Sequence, residues 1–289
     1  MNLTTAFKEP LPGISPEVYG AADFKAVSEI VYGVSGNVLP EGKAMLVYSR
    51  LAPLVRETGS GTFANFVELI RNDEKMKARA VAALTTNHTY FYRESHHFDH
   101  FERVVRPDMI RNIEAGRPVR LWSAGCSSGE ETWSLVMTLL GGDKASGRRL
   151  LQKDLRILAT DLAPHALTKA SNARYAAKDL KAVPSDLVQQ WSSTSGEEAV
   201  ISDEARSIVR FRLLNLLGAW PMSGKFEVIF CRNVMIYFDQ ETKERLVARF
   251  ADALLPGGHL YIGHSERVTG PAASIMEPVG PTIYRKRTA

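Results

Sequence analysis

From residue 118 onward, short apolar runs alternate with stretches whose apolar residues recur every three or four positions. The runs are "VRLWSAG", "LRILATD", "FEVIFCRN" and "HLYIGHS"; the periodic stretches among them are "GEETWSLVMTLL", "PHALTKASNARY" and "QETKERLVARFADALL". Strands alternating with helices leave few architectures open, and the common one is a parallel sheet with helices on both faces. The fold class expected is α/β, doubly wound. The terminal "PTIYRKRTA" is expected to add an antiparallel edge strand. Residues 176–212 are long for a strand–helix connection and contain a turn cluster and two β-like runs, which predicts a small insertion.

Residues 1–86 follow another pattern. "ADFKAVSEIVYGV", "KAMLVYSRLAPLVRE", "TFANFVELIRN" and "DEKMKARAVAALTT" each have helical spacing, with "GNVLPEG" and "ETGSGT" as turns. This region holds nine basic and nine acidic residues, so the net charge of +4 arises elsewhere. No apolar run approaches the ~20 residues that span a bilayer. "MNLTTAFKEPLPG" lacks the charged-then-apolar order of a signal peptide. A cytoplasmic protein without membrane insertion is expected. The weak positive charge, with no arginine-rich run and no interleaved aromatics, gives no case for nucleic acid.

The first strand runs into "SAGCSSGEETW". Gly125 to Gly129 form a small-residue turn, and a helix is predicted from Glu130. Glycines permit close backbone approach to a ligand, and a helix N-terminus offers free N–H groups. The spacing is G-x-x-x-G, whereas a dinucleotide site has G-x-G-x-x-G. Glu130 and Glu131 would repel a pyrophosphate. They suit a cationic ligand without phosphate, such as S-adenosylmethionine, and equally suit the positive helix end as plain first-turn acids. Asp161 ends the second strand, where an acid accepts ribose hydroxyls or caps the next helix. Arg232 and Asn233 stand where the hydrophobic strand "FEVIFC" runs out, the end at which doubly wound sheets bind ligands.

Other polar clusters read more plainly. His96, His97, Asp99 and His100 in "HHFDH" lack a second ligand cluster, so they are read as solvent-facing and packing groups and no metal is expected. Cys126 and Cys231 are expected to pack as small apolar groups. His264 belongs either to a site edge or to the framework.

Aromatic residues crowd "TTNHTYFYRESHHFDHF", more densely than in an ordinary linker. This stretch, with "WSAGCSSGEETWS", "ILATDLAPHALTKASNARY", "LLNLL", "FEVIFCRNVMIYFD" and "LLPGGHLYIGHSE", resembles the chemotaxis receptor methyltransferases of the CheR type. The motifs stand in consistent order over about residues 20–287. The resemblance implies methyl transfer from S-adenosylmethionine to glutamate side chains of chemoreceptors, leaving S-adenosylhomocysteine. It implies a helical receptor-recognition domain (1–86), a linker contributing to the cofactor site (87–117), and a methyltransferase domain (118–289) carrying an antiparallel β-subdomain (176–212).

Motif by motif, the resemblance implies cofactor contacts from Asn87, Thr89 and Arg93 in the linker, Gly125 and Glu131 in the first loop, and Asp161 after the second strand. It adds Asn215 and Leu216 in "NLL" and Arg232 and Asn233 in "CRN". Arg93 and Tyr237 are implied nearest the transferred methyl, as catalytic groups. Arg50 and Arg56 are implied to face the acidic receptor segment, a solvated helix face being the alternative. "SSTSGEEAV" is short, has one glycine and carries Glu197 and Glu198. In family members that dock on a receptor's C-terminal pentapeptide this loop tends to be longer and richer in glycine, so the resemblance implies no such tether here, and a monomer is expected. A glutamate side chain ionises near pH ~4.3, so the reaction needs no strong base. The rival readings are a methyltransferase of this fold with another substrate and a cofactor-binding regulator without catalysis. The lack of a proline-rich tetrapeptide where "CRNVMIYF" stands favours a carboxylate over an amine, and the presence of Arg93 and Tyr237 favours catalysis.

Overall fold

The computed structural model describes residues 11–288, so the leader reading of the first ten residues lies outside the described residues. The chain divides into two compact units. One comprises the residues up to Thr86 together with Tyr237–Thr242; the other comprises Asn87–Ile236 and Lys243–Ala289.

In the first unit the helical spacing becomes helices at Ala21–Ser35, Ala44–Glu57, Phe63–Asn72 and Glu74–Leu84. Two start at capping side chains. Thr62 Oγ1 accepts the Asn65 N–H at 3.2 Å, and Asp73 Oδ1 accepts those of Lys75 and Met76. Their apolar stripes bury Phe24, Val27, Leu51, Phe66, Ile70 and Val81, with the Tyr19 and Phe63 rings 4.4 Å apart. Tyr237–Thr242 is tied into this unit. The Val38 N–H donates to the Tyr237 carbonyl at 2.8 Å, and the Tyr32 hydroxyl donates to Asp239 at 2.6 Å.

The second unit contains strands β1 (Val119–Ala124), β2 (Leu155–Asp161), β3 (Arg174–Ala176), β4 (Ser192–Ser195) and β5 (Glu198–Ile201). It continues with β6 (Val209–Leu213), β7 (Phe226–Cys231), β8 (Leu254–Ile262), β9 (Met276–Gly280) and β10 (Ile283–Lys286). Seven strands form one sheet in the order β6-β2-β1-β7-β8-β10-β9, and β3-β5-β4 form a separate small sheet. The pairs β1–β2, β1–β7, β2–β6 and β7–β8 are parallel; β10 is antiparallel to both β8 and β9. The α/β expectation holds, as a mixed sheet.

Two boundaries differ from the sequence reading. The inserted sheet runs from Arg174 to Ile201, narrower than 176–212, because "VRFRL" pairs parallel to β2 as the outermost strand of the main sheet. Its alternation of apolar and charged residues is equally that of a hairpin strand, so pattern alone did not separate the two. The last strand, β10, is antiparallel but is not the edge, since β9 lies outside it.

Strand β1 is an interior strand of the sheet with both faces covered. Leu121 joins the buried cluster containing Phe98, Trp133 and Phe230. Trp122, one residue on, faces the other way, with Trp220 at 4.7 Å and Phe226 and Phe250 at 5.4 Å. The helix Glu130–Leu140 is buried almost all round, which explains why its sequence carries so little charge after Glu131. Among the described residues, no helix is long and apolar enough to cross a membrane.

Candidate active site

The order β2-β1-β7 reverses direction of winding at β1, so a crevice opens beyond the carboxyl ends of β1 and β7. Gly125 turns the chain there with φ +79°. A Cβ at this position would lie 2.4 Å from Val234 Cγ2, so only glycine lets the loop after β1 meet the segment after β7. The Ser127 N–H donates to Asp161 Oδ2 at 2.8 Å, and the Ser127 hydroxyl donates to the Asn87 carbonyl at 3.1 Å. Asp161 Oδ1 accepts the Ala163 N–H at 2.9 Å. Asp161 therefore stitches the end of β2 to the glycine turn, while Ala163 holds the N-cap position of helix Pro164–Asn172. Burial raises the Asp161 pKa, and the N–H groups of Ala163 and Ser127 oppose that rise. Each of its oxygens has a second lone pair for a further donor. The Asn87 amide nitrogen lies 3.3 Å from His165 Nε2.

Arg232 answers why a cation ends a buried strand. Its side chain is 2% exposed and sits between two carboxylates: Glu94 Oε2 at 3.3 Å and Glu131 Oε2 at 3.4 Å. Its Nη2 also donates to the Arg93 carbonyl. Glu131 Oε1 accepts the Ser123 hydroxyl at 2.7 Å. Burial raises the Glu131 pKa, with Arg232 and Ser123 pulling the other way. Burial also acts upward on Glu94, but Arg232 and hydrogen bonds from His264 and Asn233 outweigh it and bring that pKa down to about 2. Two carboxylates thus share one buried guanidinium.

Asn233 follows in the left-handed region, φ 59°. Its N–H donates to Glu266 Oε2 at 3.2 Å and its amide donates to Glu94 Oε1 at 3.3 Å. Glu266, itself buried, also accepts the Gly263 N–H, and a Cβ on Gly263 would lie 2.6 Å from the Asn233 nitrogen. The turns after β7 and β8 are thus pressed together. Arg93 and Thr89 are half-buried. Arg93 Nη1 donates to the His88 carbonyl at 3.1 Å, and its guanidinium lies 5.7 Å from the Tyr90 ring centroid. Asn215 Oδ1 accepts the Leu217 N–H at 3.0 Å, and Leu216 is buried. Arg249 straps this loop: stacked 3.9 Å over Trp220, it donates to the carbonyls of Leu216 and Gly218 at 2.6 Å.

The remaining expected site residues belong to the first unit. Tyr237 lies in its added strip, half-buried. Arg56 is exposed on helix Ala44–Glu57. Arg50 is half-buried, and its Nη1 donates to the carbonyls of Leu84 and Thr85, capping helix Glu74–Leu84. The histidines of "HHFDH" have framework partners: His97 Nε2 lies 2.9 Å from Thr282 Oγ1, and His100 Nδ1 lies 2.9 Å from the Tyr261 hydroxyl. His264, 67% exposed in its side chain, lies 3.1 Å from Glu94 Oε1. Cys126 and Cys231 are buried free thiols, and burial raises both pKa values. Sequence reasoning passed over Glu94, Glu266 and Arg249. The one signal for the first two is an acid beside a predicted site motif, in "YRE" and "GHSE".

The donor set fits S-adenosylmethionine. Glu131, opening the helix after the glycine turn, and Asp161, ending β2, are acceptors that suit a ligand bearing an ammonium, a sulfonium and ribose hydroxyls, and a glycine turn followed by two glutamates does not suit phosphate. The sequence comparisons agree with that chemistry. Residues 22–85 match the family model described as "CheR methyltransferase, all-alpha domain", and residues 87–282 match "CheR methyltransferase, SAM binding domain". The chain is 39% identical over 265 residues to a "Probable chemotaxis protein methyltransferase" of Rhizobium etli, covering 90% of this chain and 97% of that one. It is 36% identical over 287 residues to "Chemotaxis protein methyltransferase 2" of Pseudomonas aeruginosa, covering 98% and 99%. Carboxylates beside a glycine turn, on a sheet of this order, and matches that take in both the helical and the α/β regions have one common account: the chain belongs to the CheR methyltransferase family and uses S-adenosylmethionine as its methyl donor.

Proposed function

We propose that this methyltransferase acts on glutamate side chains in the cytoplasmic domain of chemoreceptors, forming γ-methyl esters and so resetting receptor sensitivity. The observation that carries the reading is the match, across nearly the whole chain, to chemotaxis protein methyltransferases. Bound S-adenosylmethionine supplies an electrophilic methyl carbon on a sulfonium. The chain's own residues hold, orient and shield. Glu131 takes the positive end of the cofactor, and Asp161 uses its remaining lone pairs for ribose hydroxyls. Asn87, Thr89, Gly125, Asn215, Leu216 and Asn233 line the rest of the cofactor site. Arg232, paired with Glu94 and Glu131 and bonded to the Arg93 carbonyl, holds Glu131 in place.

Arg93 and Tyr237 orient the substrate carboxylate by hydrogen bonding, as the family resemblance implies. One carboxylate oxygen forms the new O–CH3 bond, and the electron pair of the broken C–S bond stays on sulfur. A negative and a positive charge become two neutral products. Stabilising a growing charge is therefore not the main lever; alignment is, and it is worth on the order of 7–11 kcal/mol in well-oriented pairs. Arg56 contributes attraction for the acidic receptor segment, and Arg50 does so less, because of its capping bonds. The enzyme works as a cytoplasmic monomer, with neither metal nor nucleic acid. The β4–β5 hairpin, with Glu197 in its turn and Glu198 opening β5, borders an open depression of about 470 Å³ that also holds Lys169, Arg174 and Asp179. We assign no pentapeptide tether to it.

The test is transfer of labelled methyl to receptor-containing membranes, read as methanol released by base. Base-labile label on glutamate is expected. Base-stable label, or label on another substrate only, would favour the same-fold methyltransferase of different specificity. Cofactor binding without any transfer would favour the silent regulator.

A further inference from the structure

Glu94 has no role in the site as proposed above, yet several of its groups converge on this one side chain. Arg232 pairs with it at 3.3 Å, the Asn233 amide donates to it at 3.3 Å, and the His264 N–H and Nδ1 lie at 3.3 and 3.1 Å. His97 Nδ1 lies 3.5 Å away. These partners come from the turn after β7, the turn after β8 and the helix His96–His100.

The backbone around it is unusual. Tyr92 and Glu94 adopt left-handed φ values of 54° and 57°, on either side of Arg93. Non-glycine residues hold that conformation only where their surroundings over-determine it. Tyr92 is fixed from one side: its N–H donates to Ser134 Oγ at 3.0 Å, and its hydroxyl lies 2.6 Å from Thr138 Oγ1. Glu94 is the fixture on the other side. The Arg232 nitrogen that pairs with Glu94 also donates to the Arg93 carbonyl, so carbonyl and carboxylate of consecutive residues close a ring through one atom.

We propose that Glu94 is a positioning residue for methyl transfer: through Arg232 it fixes the backbone of Arg93, and through Asn233 and His264 it holds together the turns after β7 and β8. The inference rests on the reading of Arg93 as the group that orients the substrate carboxylate. Glutamine has the same shape but no charge to hold the guanidinium. In Glu94→Gln, Arg232 turns to its remaining carboxylate, Glu131, and releases the Arg93 carbonyl.

Two measurements on the full chain test this. In the free protein, amide hydrogen exchange of residues 92–95 is faster in Glu94→Gln than in the unsubstituted protein, while the β1 amides are unchanged. In turnover, kcat per cofactor site, counted by titration with S-adenosylhomocysteine, falls about tenfold to a hundredfold. That loss disappears in an Arg93→Ala background, where nothing remains to be positioned. A merely structural Glu94 would lower the number of binding sites and leave kcat per site alone. An unchanged kcat per site, or a loss that persists in full in the Arg93→Ala background, would overturn the inference. Should Glu94→Gln fail to fold, Glu94→Asp keeps the charge, shortens the reach and takes the same cycle with the same two overturning outcomes. Receptor labelling by the unsubstituted protein is the control: its absence overturns the functional reading and this inference together, whereas normal labelling by Glu94→Gln overturns this inference alone.

Discussion

Arg232 shows at the scale of one residue why a buried charge needs its partners. Removing the guanidinium strands Glu94 and Glu131, and breaking a buried ion pair from one side typically costs about 3–5 kcal/mol. Arg232→Met is expected to lose that order of stability in urea denaturation, and more than Glu131→Gln does. Protons act on the same cluster. Burial, then the Arg232 and His96 charges, lower the His97 pKa from 6.5 to about 3. The unfolded chain therefore binds the proton first, and stability falls as pH drops from about 6.5 toward 3. Glu94, lowered from 4.5 to about 2, steepens the loss below pH 4.5. Denaturation midpoints across pH 7 to 5 are expected to flatten in His97→Gln. The sequence made Arg232 and Asn233 legible, because polar groups at a strand's end stand out against "FEVIF". Glu94 was not legible: the groups that hydrogen-bond its carboxylate lie 139 and 170 residues away, and nothing local marks an acid as buried.

Elements were read as far as their periodicity is distinctive. The four N-terminal helices, strands β1, β2 and β7 and the second half of β8 carry distinct apolar patterns, so they were found. Strands β6 and β9 are the two edges of the main sheet, buried on less of their surface, and their patterns are correspondingly dilute. The loop after β6 depends on an element far along the chain, since Arg249 on helix Gln240–Ala253 clamps the carbonyls of Leu216 and Gly218. Arg249→Met keeps the apolar stem and removes both donors. It is expected to weaken S-adenosylhomocysteine binding by about tenfold, the loss of one charge-assisted hydrogen bond's worth of loop order. Isothermal titration measures it, and unchanged affinity would separate this loop from the cofactor.

For the whole molecule, the proposed division of labour predicts that recognition and chemistry respond to different substitutions. Arg56→Glu is expected to raise the KM for receptor severalfold at low salt, with cofactor affinity unchanged and the defect shrinking as salt screens the charge. A shift in cofactor affinity would count against a receptor-facing Arg56. Neither unit is the bare stretch of sequence that the domain reading drew. The helical unit is discontinuous, because Tyr237–Thr242 completes it through Val38 and Tyr32. That strip has a consequence for synthesis. A ribosome delivers the four helices early, but the residues that finish their unit are made about 150 positions after Thr86. Domains generally fold in order of emergence. Here the N-terminal unit must remain unfinished until most of the sheet has been translated, so its final closure is a late event in the life of the nascent chain.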